Sequence, residues 1–406
     1  MVPEGWSSVE MGDLYDFKNG LNTDKANYGH GLKFVNVMDV FKNDRLDEKN
    51  IIGRVAVNDK EMINYSLEYG DVLFNRTSET FDEIAMSAVY LDEKPAIFGG
   101  FVIRARPKTN KVSPEFSVYF FQSSVFRSEA VSRGQGAVRA NIGQKDLAGI
   151  CQVVPPVVEQ QKIAKILSTW DEAIATTEQL LANSEQQKKS LMQQLLAGKK
   201  RLPGFEREWN TKIFSSIVEL GKEKFDPKNS DQTIECIELE HISQGTAILS
   251  GSTTTYKSVS TKNCFHNGSV LFGKLRPYLR KYWLADRNGV CSTEIWVINA
   301  NRKFSIPEYI FYLVQSEFFI DAASKSSGTH MPRADWNIVK DILIHVPSLK
   351  EQKKIAGVLS SHDKEIVALR YDLGLLQKQK KALMQQLLTG KRRVKVDEEQ
   401  SDAVPA

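Results

Sequence analysis

The side chains in this sequence best suited to chemistry are cations crowded beside aromatic, amide and hydroxyl groups. The stretch "LFGKLRPYLRKYW" (271–283) gathers Lys274, Arg276, Arg280 and Lys281 around Tyr278. An earlier stretch, "LFNRTSETF" (73–81), offers Asn75, Arg76 and Ser78. Two glycine-containing stretches have a similar make-up. "SRGQGAVRAN" (132–141) carries Arg133, Gln135, Arg139 and Asn141, and "SKSSGTHMPRADW" (324–336) carries Ser327, Thr329, His330 and Arg333. Lysine and arginine neutralise phosphates, while the planar forks of arginine and the amides match guanine and adenine edges. Glycine lets a backbone approach a duplex closely. A single basic loop is ordinarily a solvated surface. Here the basic loops recur at corresponding places in both halves of the chain, which favours a nucleic-acid contact.

Catalytic patterns are missing. "GSVLFGKL" (268–275) approaches a phosphate-binding loop, but Leu275 stands where a magnesium-binding hydroxyl is needed and "SVLF" reads as a strand. "GQGAVR" (134–139) starts like a dinucleotide fingerprint and then places Arg139 at its third glycine. The histidines form no HExxH, and "CFH" (264–266) lacks companions at ligand spacing. No GxSxG elbow or methyltransferase-type NPPY occurs. The expectation is a binding and organising protein with no catalytic residue and no metal site.

The totals agree with that reading. At 406 residues the chain exceeds one ordinary core, so two or more domains are expected. No apolar run reaches the roughly 18 residues needed to span a bilayer, and "MVPEGWSSVE" does not resemble a signal peptide. A cytoplasmic location and no membrane partner are expected. The four cysteines lie far apart and suggest reduced thiols. Net charge is +4, but the last ten residues, "DEEQSDAVPA", carry four negative charges and no positive ones, so the remainder is more basic. That tail has little to bury and reads as disordered.

The elements that must position the basic loops are written twice. "LMQQLLAGKKRL" (191–202) returns as "LMQQLLTGKRRV" (383–394), and the match extends without a gap over 159–202 and 351–394, with about half the positions identical. Fainter echoes link "YGDVLFNR" (69–76) with "NGSVLFGK" (267–274), and "YFFQS" (119–123) with "YLVQS" (312–316). Each repeated block reads as a long helix ended by Gly198 or Gly390, with a basic cluster at its C-terminus. Apolar heptad rows, Leu167–Ile174–Leu181–Leu195 and Leu359–Ile366–Leu373–Leu387, are each interrupted by one lysine, Lys188 or Lys380. This is coiled-coil patterning, which admits either a parallel or an antiparallel pair. The interrupting lysines suggest a partly solvated seam or a further partner. The alternative is that each helix packs on its own domain.

Two variable segments of about 150 residues, each followed by "P…EQxKIA…LMQQLLxGKxR", resemble the specificity subunits of type I restriction-modification enzymes over residues 1–394; "GKLRPYLRK" (273–281) is also similar to that family. The resemblance implies an α+β fold: two globular α/β target recognition domains separated by two long helices that form an antiparallel coiled coil, with a pseudo-twofold internal repeat. The implied boundaries are 1–157 and 201–349 for the recognition domains, 158–200 and 350–394 for the spacer helices, and 395–406 for an acidic tail. It further implies a non-catalytic subunit that recognises double-stranded DNA with a split target. The partners would be two methyltransferase subunits and restriction/translocase subunits. S-adenosylmethionine, and ATP with magnesium, would sit on those partners and no cofactor on this chain. The competing reading is a coiled-coil protein–protein scaffold that does not bind DNA.

Overall fold

The computed structural model describes residues 2–136, 138–230, 232–255, 260–325 and 332–395. The acidic tail expected at 395–406, apart from Lys395, and the predicted contacts Ser327, Thr329 and His330 lie outside the described residues. The chain divides into two units, Met1–Thr177 with Asp372–Ala406, and Glu178–Tyr371.

In the first unit a five-stranded sheet runs in the order Tyr15–Asn19, Val102–Pro107, Val72–Asn75, Ser87–Tyr90, Arg45–Leu46, beside a three-stranded sheet of Arg54–Val55, Tyr28–Val35 and Ala96–Phe98. The strands "VLFN" and "SAVY" are buried at every position, which is why they read as continuous apolar runs rather than alternating ones. The helices Pro114–Phe120 and Ser124–Ser132 follow, each started by a serine whose hydroxyl accepts a backbone N–H (Ser113 and Ser123). The last strand, Cys151–Val154, returns antiparallel to the first, Ser7–Glu10.

The second unit repeats this plan. Val218–Leu220, Ile295–Ala300, Val270–Gly273 and Tyr282–Leu284 form one sheet, and a five-stranded sheet lies beside it. Helices Pro307–Leu313 and Glu317–Ser324 follow, and Leu343–Val346 pairs with Asn210–Ile213. The mixed α+β architecture and its internal repeat are as expected.

The two long helices are Val157–Leu195 and Leu349–Leu387, 39 residues each, or roughly 60 Å at 1.5 Å per residue. Both stop sooner than the expected bounds of 200 and 394. Gly198 and Gly390 adopt φ +68°, and the N–H groups of Lys200 and Arg392 reach back 3.1 Å to the carbonyls of Gln194 and Gln386. This closes each helix with a glycine cap.

Each helix serves two cores. In the first unit the core takes Ile163, Ala164 and Leu167 from the start of the first helix and Leu387 and Leu388 from the end of the second. In the second unit it takes Leu195 and Leu196 from the end of the first helix and Ile355, Ala356 and Leu359 from the start of the second. Within each unit the helices therefore run antiparallel. Packing on the domains and packing on each other both occur.

Three matched contacts tie head to helix in each unit. Glu159 accepts a hydrogen bond from Trp6 Nε1 at 3.0 Å and two from Arg393 at 2.8 Å. Glu351 accepts the same set from Trp209 (3.0 Å) and Arg201 (2.7 and 2.9 Å). The neighbouring Gln160 caps Lys111 O and Pro155 O through its Nε2 and accepts Ser113 N; Gln352 does the same with Phe304 O, Pro347 O and Ile306 N. The seam lysines are explained as well. Lys188 Nζ pairs with Asp363 at 2.5 Å, and Lys380 pairs with Asp171. Each aspartate also accepts a tyrosine hydroxyl from the head at 2.6 Å, Tyr312 or Tyr119. A charge inside a heptad seam is tolerated here because its partner is supplied by the facing helix.

Candidate nucleic-acid interface

The predicted contact residues of the first unit gather at the end of the strand Val72–Asn75. The register Val102↔Asn75 places Phe101 beside Arg76, whose N–H donates to Phe101 O at 2.9 Å. Arg76 O accepts Ile142 N at 3.0 Å, and a short ladder pairs Thr77–Ser78 with Ala140–Asn141. Gln135 and Asn141 exchange backbone hydrogen bonds of 2.8 and 2.7 Å. Gly136 makes that return possible, with φ +123° and no room for a side chain: a Cβ there would lie 2.1 Å from Arg139 O.

The side chains on this corner divide by occupation. Arg139 is exposed and Arg76 half-buried, and neither guanidinium has a partner among the described residues. Arg133 is already engaged, to Glu129 Oε1 at 2.9 Å and Gly149 O at 2.8 Å. Ser78 is buried and donates to Glu83 Oε2 at 3.0 Å. Asn75 is fully buried, its Nδ2 reaching Thr77 O at 3.4 Å and its Oδ1 without a hydrogen-bond partner. Asn141 is exposed but its amide spans Thr77 Oγ1 (2.8 Å) and Arg139 O (3.0 Å). Asn75, Ser78, Arg133 and Asn141 thus build the corner, and Arg76 and Arg139 carry its free charge.

The second unit forms the same corner. The register Gly273↔Ile295 places Glu294 beside Lys274, whose N–H donates to Glu294 O at 2.8 Å. Lys274 O accepts Ala334 N at 2.8 Å, and Leu275 bridges Arg333. Arg333 Nη2 sits 2.8 Å from Glu294 Oε2. Burial holds the Lys274 ammonium below the usual lysine range; the Glu294 carboxylate opposes that shift and Arg333 adds to it.

Arg276 and Arg280 bracket the turn Pro277–Leu279, and both occupy the left-handed region at φ +51°. Two non-glycine residues in that region store strain of order 1–3 kcal/mol each, a cost that concentrates at functional sites. The turn lifts Tyr278 to 50% exposure and leaves Arg276 exposed without a side-chain partner among the described residues. Arg280 instead pairs with Glu317 and reaches Gln315 O, and Lys281 Nζ donates to Leu239 O at 2.8 Å. Sequence reasoning could not separate Arg276 from Arg280, because the difference lies in what each guanidinium meets across the fold. It also missed Phe101 and Glu294, whose place on the corner depends on strand register. An alignment of "VLFN" and "VLFG" through the strands that follow them, "VIRAR" and "IWVIN", is the signal that could have found both.

Among the described residues no group of three or more His, Cys, Asp and Glu side chains could hold a metal ion, and no helix is long and apolar enough to cross a membrane.

The chain matches the family model of the type I restriction modification DNA specificity domain twice, over residues 3–186 and 206–372. It is 24% identical to the type I restriction enzyme MjaVIII specificity subunit of Methanocaldococcus jannaschii, covering 97% of this chain and 94% of that protein. It is 23% identical to the EcoDI specificity subunit of Escherichia coli over 60% of this chain and 61% of that one. Its fold is similar to the S subunit of the type I restriction-modification system of M. genitalium (TM-score 0.57, 12% identity, 94% of this chain and 96% of that one). It is also similar to a chain from a type I system solved for its complex assembly and conformational transition (TM-score 0.57, 14% identity, 97% and 100%). Two family matches, each taking in one head and much of the long helix that follows it, place this chain in the family of type I restriction-modification DNA specificity subunits, the non-catalytic recognition chains of those systems.

Proposed function

We propose that this chain recognises a DNA target split into two half-sites, one read by each unit, and that it organises the subunits that act on that DNA. The observation that carries the reading is the corner present in both units. Its backbone hydrogen bonds are the same, Arg76 to Phe101 and Ile142 in one unit, Lys274 to Glu294 and Ala334 in the other, while the side chains on it differ. A kept frame with changed side chains is what two readers of different short sequences require. Cations at each corner, Arg76 and Arg139 in one unit and Arg276 with the half-buried Lys274 beside Glu294 in the other, supply the phosphate attraction and base-edge donors.

The docking partners in this reading are two methyltransferase subunits, with restriction/translocase subunits joining them in the cytoplasm. Partially exposed apolar residues along the long helices, including Leu180 (51%), Val367 (53%) and Leu375 (41%), support a surface for them. S-adenosylmethionine, and ATP with magnesium, would be held by those partners.

The test is to co-express the chain with methyltransferase subunits from neighbouring reading frames and map methylated adenines. The expected result is methylation within two short base runs at one fixed separation. Methylation without sequence preference, or at one uninterrupted run, would overturn the reading.

A further inference from the structure

The two corners differ in a way that assigns a base to each. The strand registers Val102↔Asn75 and Ile295↔Gly273 make Phe101 and Glu294 equivalent, as Arg76 and Lys274 are. The pairings Thr77↔Asn141 and Leu275↔Arg333 make Asn141 and Arg333 equivalent in turn. Three chain segments distant in sequence thus meet at one corner: those of Arg76, Phe101 and Asn141 in the first unit, and those of Lys274, Glu294 and Arg333 in the second.

In the first unit Asn141 is occupied by Thr77 and Arg139, so it braces the corner. Phe101 is 64% exposed and beside a cation with no partner among the described residues. An isolated exposed phenylalanine is unremarkable. This one, however, projects from a hydrogen-bonded corner whose counterpart in the other unit carries a carboxylate. In the major groove the apolar feature that distinguishes one base is the thymine methyl.

In the second unit the same position does the opposite job. Glu294 takes one nitrogen of Arg333 at 2.8 Å, and the Arg333 side chain is 57% exposed. The contact is an ion pair and not an aligned hydrogen bond, since Glu294 Oε2 has no hydrogen-bond partner among the described residues; it holds the guanidinium at this corner by charge and leaves its N–H groups open to a ligand. An arginine fork held at such a place matches O6 and N7 of guanine.

We propose that this corner is the base-reading position of each unit, with Phe101 selecting a thymine through its methyl group and Arg333, held at the corner by the Glu294 charge, selecting a guanine. The proposal rests on the DNA-recognition reading above and adds the residues and bases to it. Glu294 is a positioning residue, acting through Arg333.

The experiment uses the co-expressed complex and duplexes carrying its mapped target, with uracil replacing each thymine in turn, or 7-deazaguanine each guanine. Uracil removes only the methyl group and 7-deazaguanine only the N7 acceptor. At one thymine, uracil should weaken binding by the wild-type complex about fourfold, the worth of one methyl group, and should leave Phe101→Ala binding unchanged. At one guanine of the other half-site, 7-deazaguanine should weaken the wild type about tenfold and leave Arg333→Ala unchanged. Glu294→Gln should reduce that guanine effect while retaining the thymine effect. Arg333→Lys, which keeps the charge, should still lose the guanine effect.

The inference is overturned if the wild type shows a split target but no base substitution becomes silent in the matching variant, or if both silent positions fall in one half-site. If the wild type shows no split target, the broader reading fails instead. Phe101→Leu, which retains an apolar side chain on this exposed site, separates loss of the ring contact from misfolding: it should keep part of the uracil effect.

Discussion

At the scale of single residues, the most informative pair is Glu159 and Glu351. Each is nearly buried and each receives one indole N–H and a two-pronged arginine from chain segments far away in sequence. A carboxylate buried with three charge-assisted or polar donors is stable only while they all remain. Glu159→Gln keeps the shape, removes the charge and turns one acceptor into a donor facing Trp6 or Arg393. Arg393 is partly exposed, so the loss is moderated by solvent. We expect a destabilisation of about 1–3 kcal/mol, read as a lower melting temperature of the purified complex. Trp6→Phe should cost less, because the ring packing and the arginine remain. The glutamates were visible in sequence as the first letter of a repeated "EQ". Their partners were not, because Trp6 and Arg393 lie 153 and 234 residues from Glu159 and only the fold brings them together. The same holds for Arg133 and Arg280, which sequence reasoning placed among the DNA contacts and which the fold ties to Glu129 and Glu317.

At the scale of elements, the long helices were legible because heptad periodicity and the lack of proline are local signals. Their direction was not, since the same periodicity fits parallel and antiparallel pairs. The charges facing the seam lysines resolve it, and the two ends are not equal. Asp171 has Arg45 as a further partner at 3.2 Å, besides Lys380 and Tyr119. Asp363 has Lys188 and Tyr312. Lys380, however, also offsets Asp44, a carboxyl pushed up by burial and by Asp171, so Lys188→Met and Lys380→Met should each destabilise by about 1–3 kcal/mol; an unchanged melting temperature in either variant would contradict this.

Asp171 also gives a pH dependence. Burial pushes its carboxyl up, but the hydrogen bonds from Lys380 and Tyr119 and the Arg45 charge outweigh that, so its pKa lies below the ordinary 3.8. A carboxylate depressed in the folded state contributes stability that is fully present above the unfolded value and lost as pH falls through the folded one. The stability difference between wild type and Asp171→Asn should thus be constant at pH 6–8 and shrink as pH drops below about 4. A gap that widened toward low pH would contradict the assignment.

At the scale of the whole molecule, the duplication was legible from twelve residues, since "LMQQLLAGKKRL" and "LMQQLLTGKRRV" need no structure to be matched. Those residues proved to be structural. They complete the seam, stop the helix with a left-handed glycine and return an arginine to the other helix's glutamate. The divergent halves were harder to read, because their equivalence lies in strand register and backbone hydrogen bonds rather than in residue identity. Each corner is assembled from three chain segments distant from one another in sequence, so side-chain composition alone could place the loops but not the contacts.

If the length of the paired helices sets the gap between the half-sites of the proposed reading, changing that length should change the gap alone. Four residues are inserted at matched positions in the middle of both long helices, and methylated adenines are mapped for the co-expressed complex. The predicted result is that both half-sites keep their sequences while the unread gap between them lengthens. A change in either half-site with the gap unaltered would contradict it.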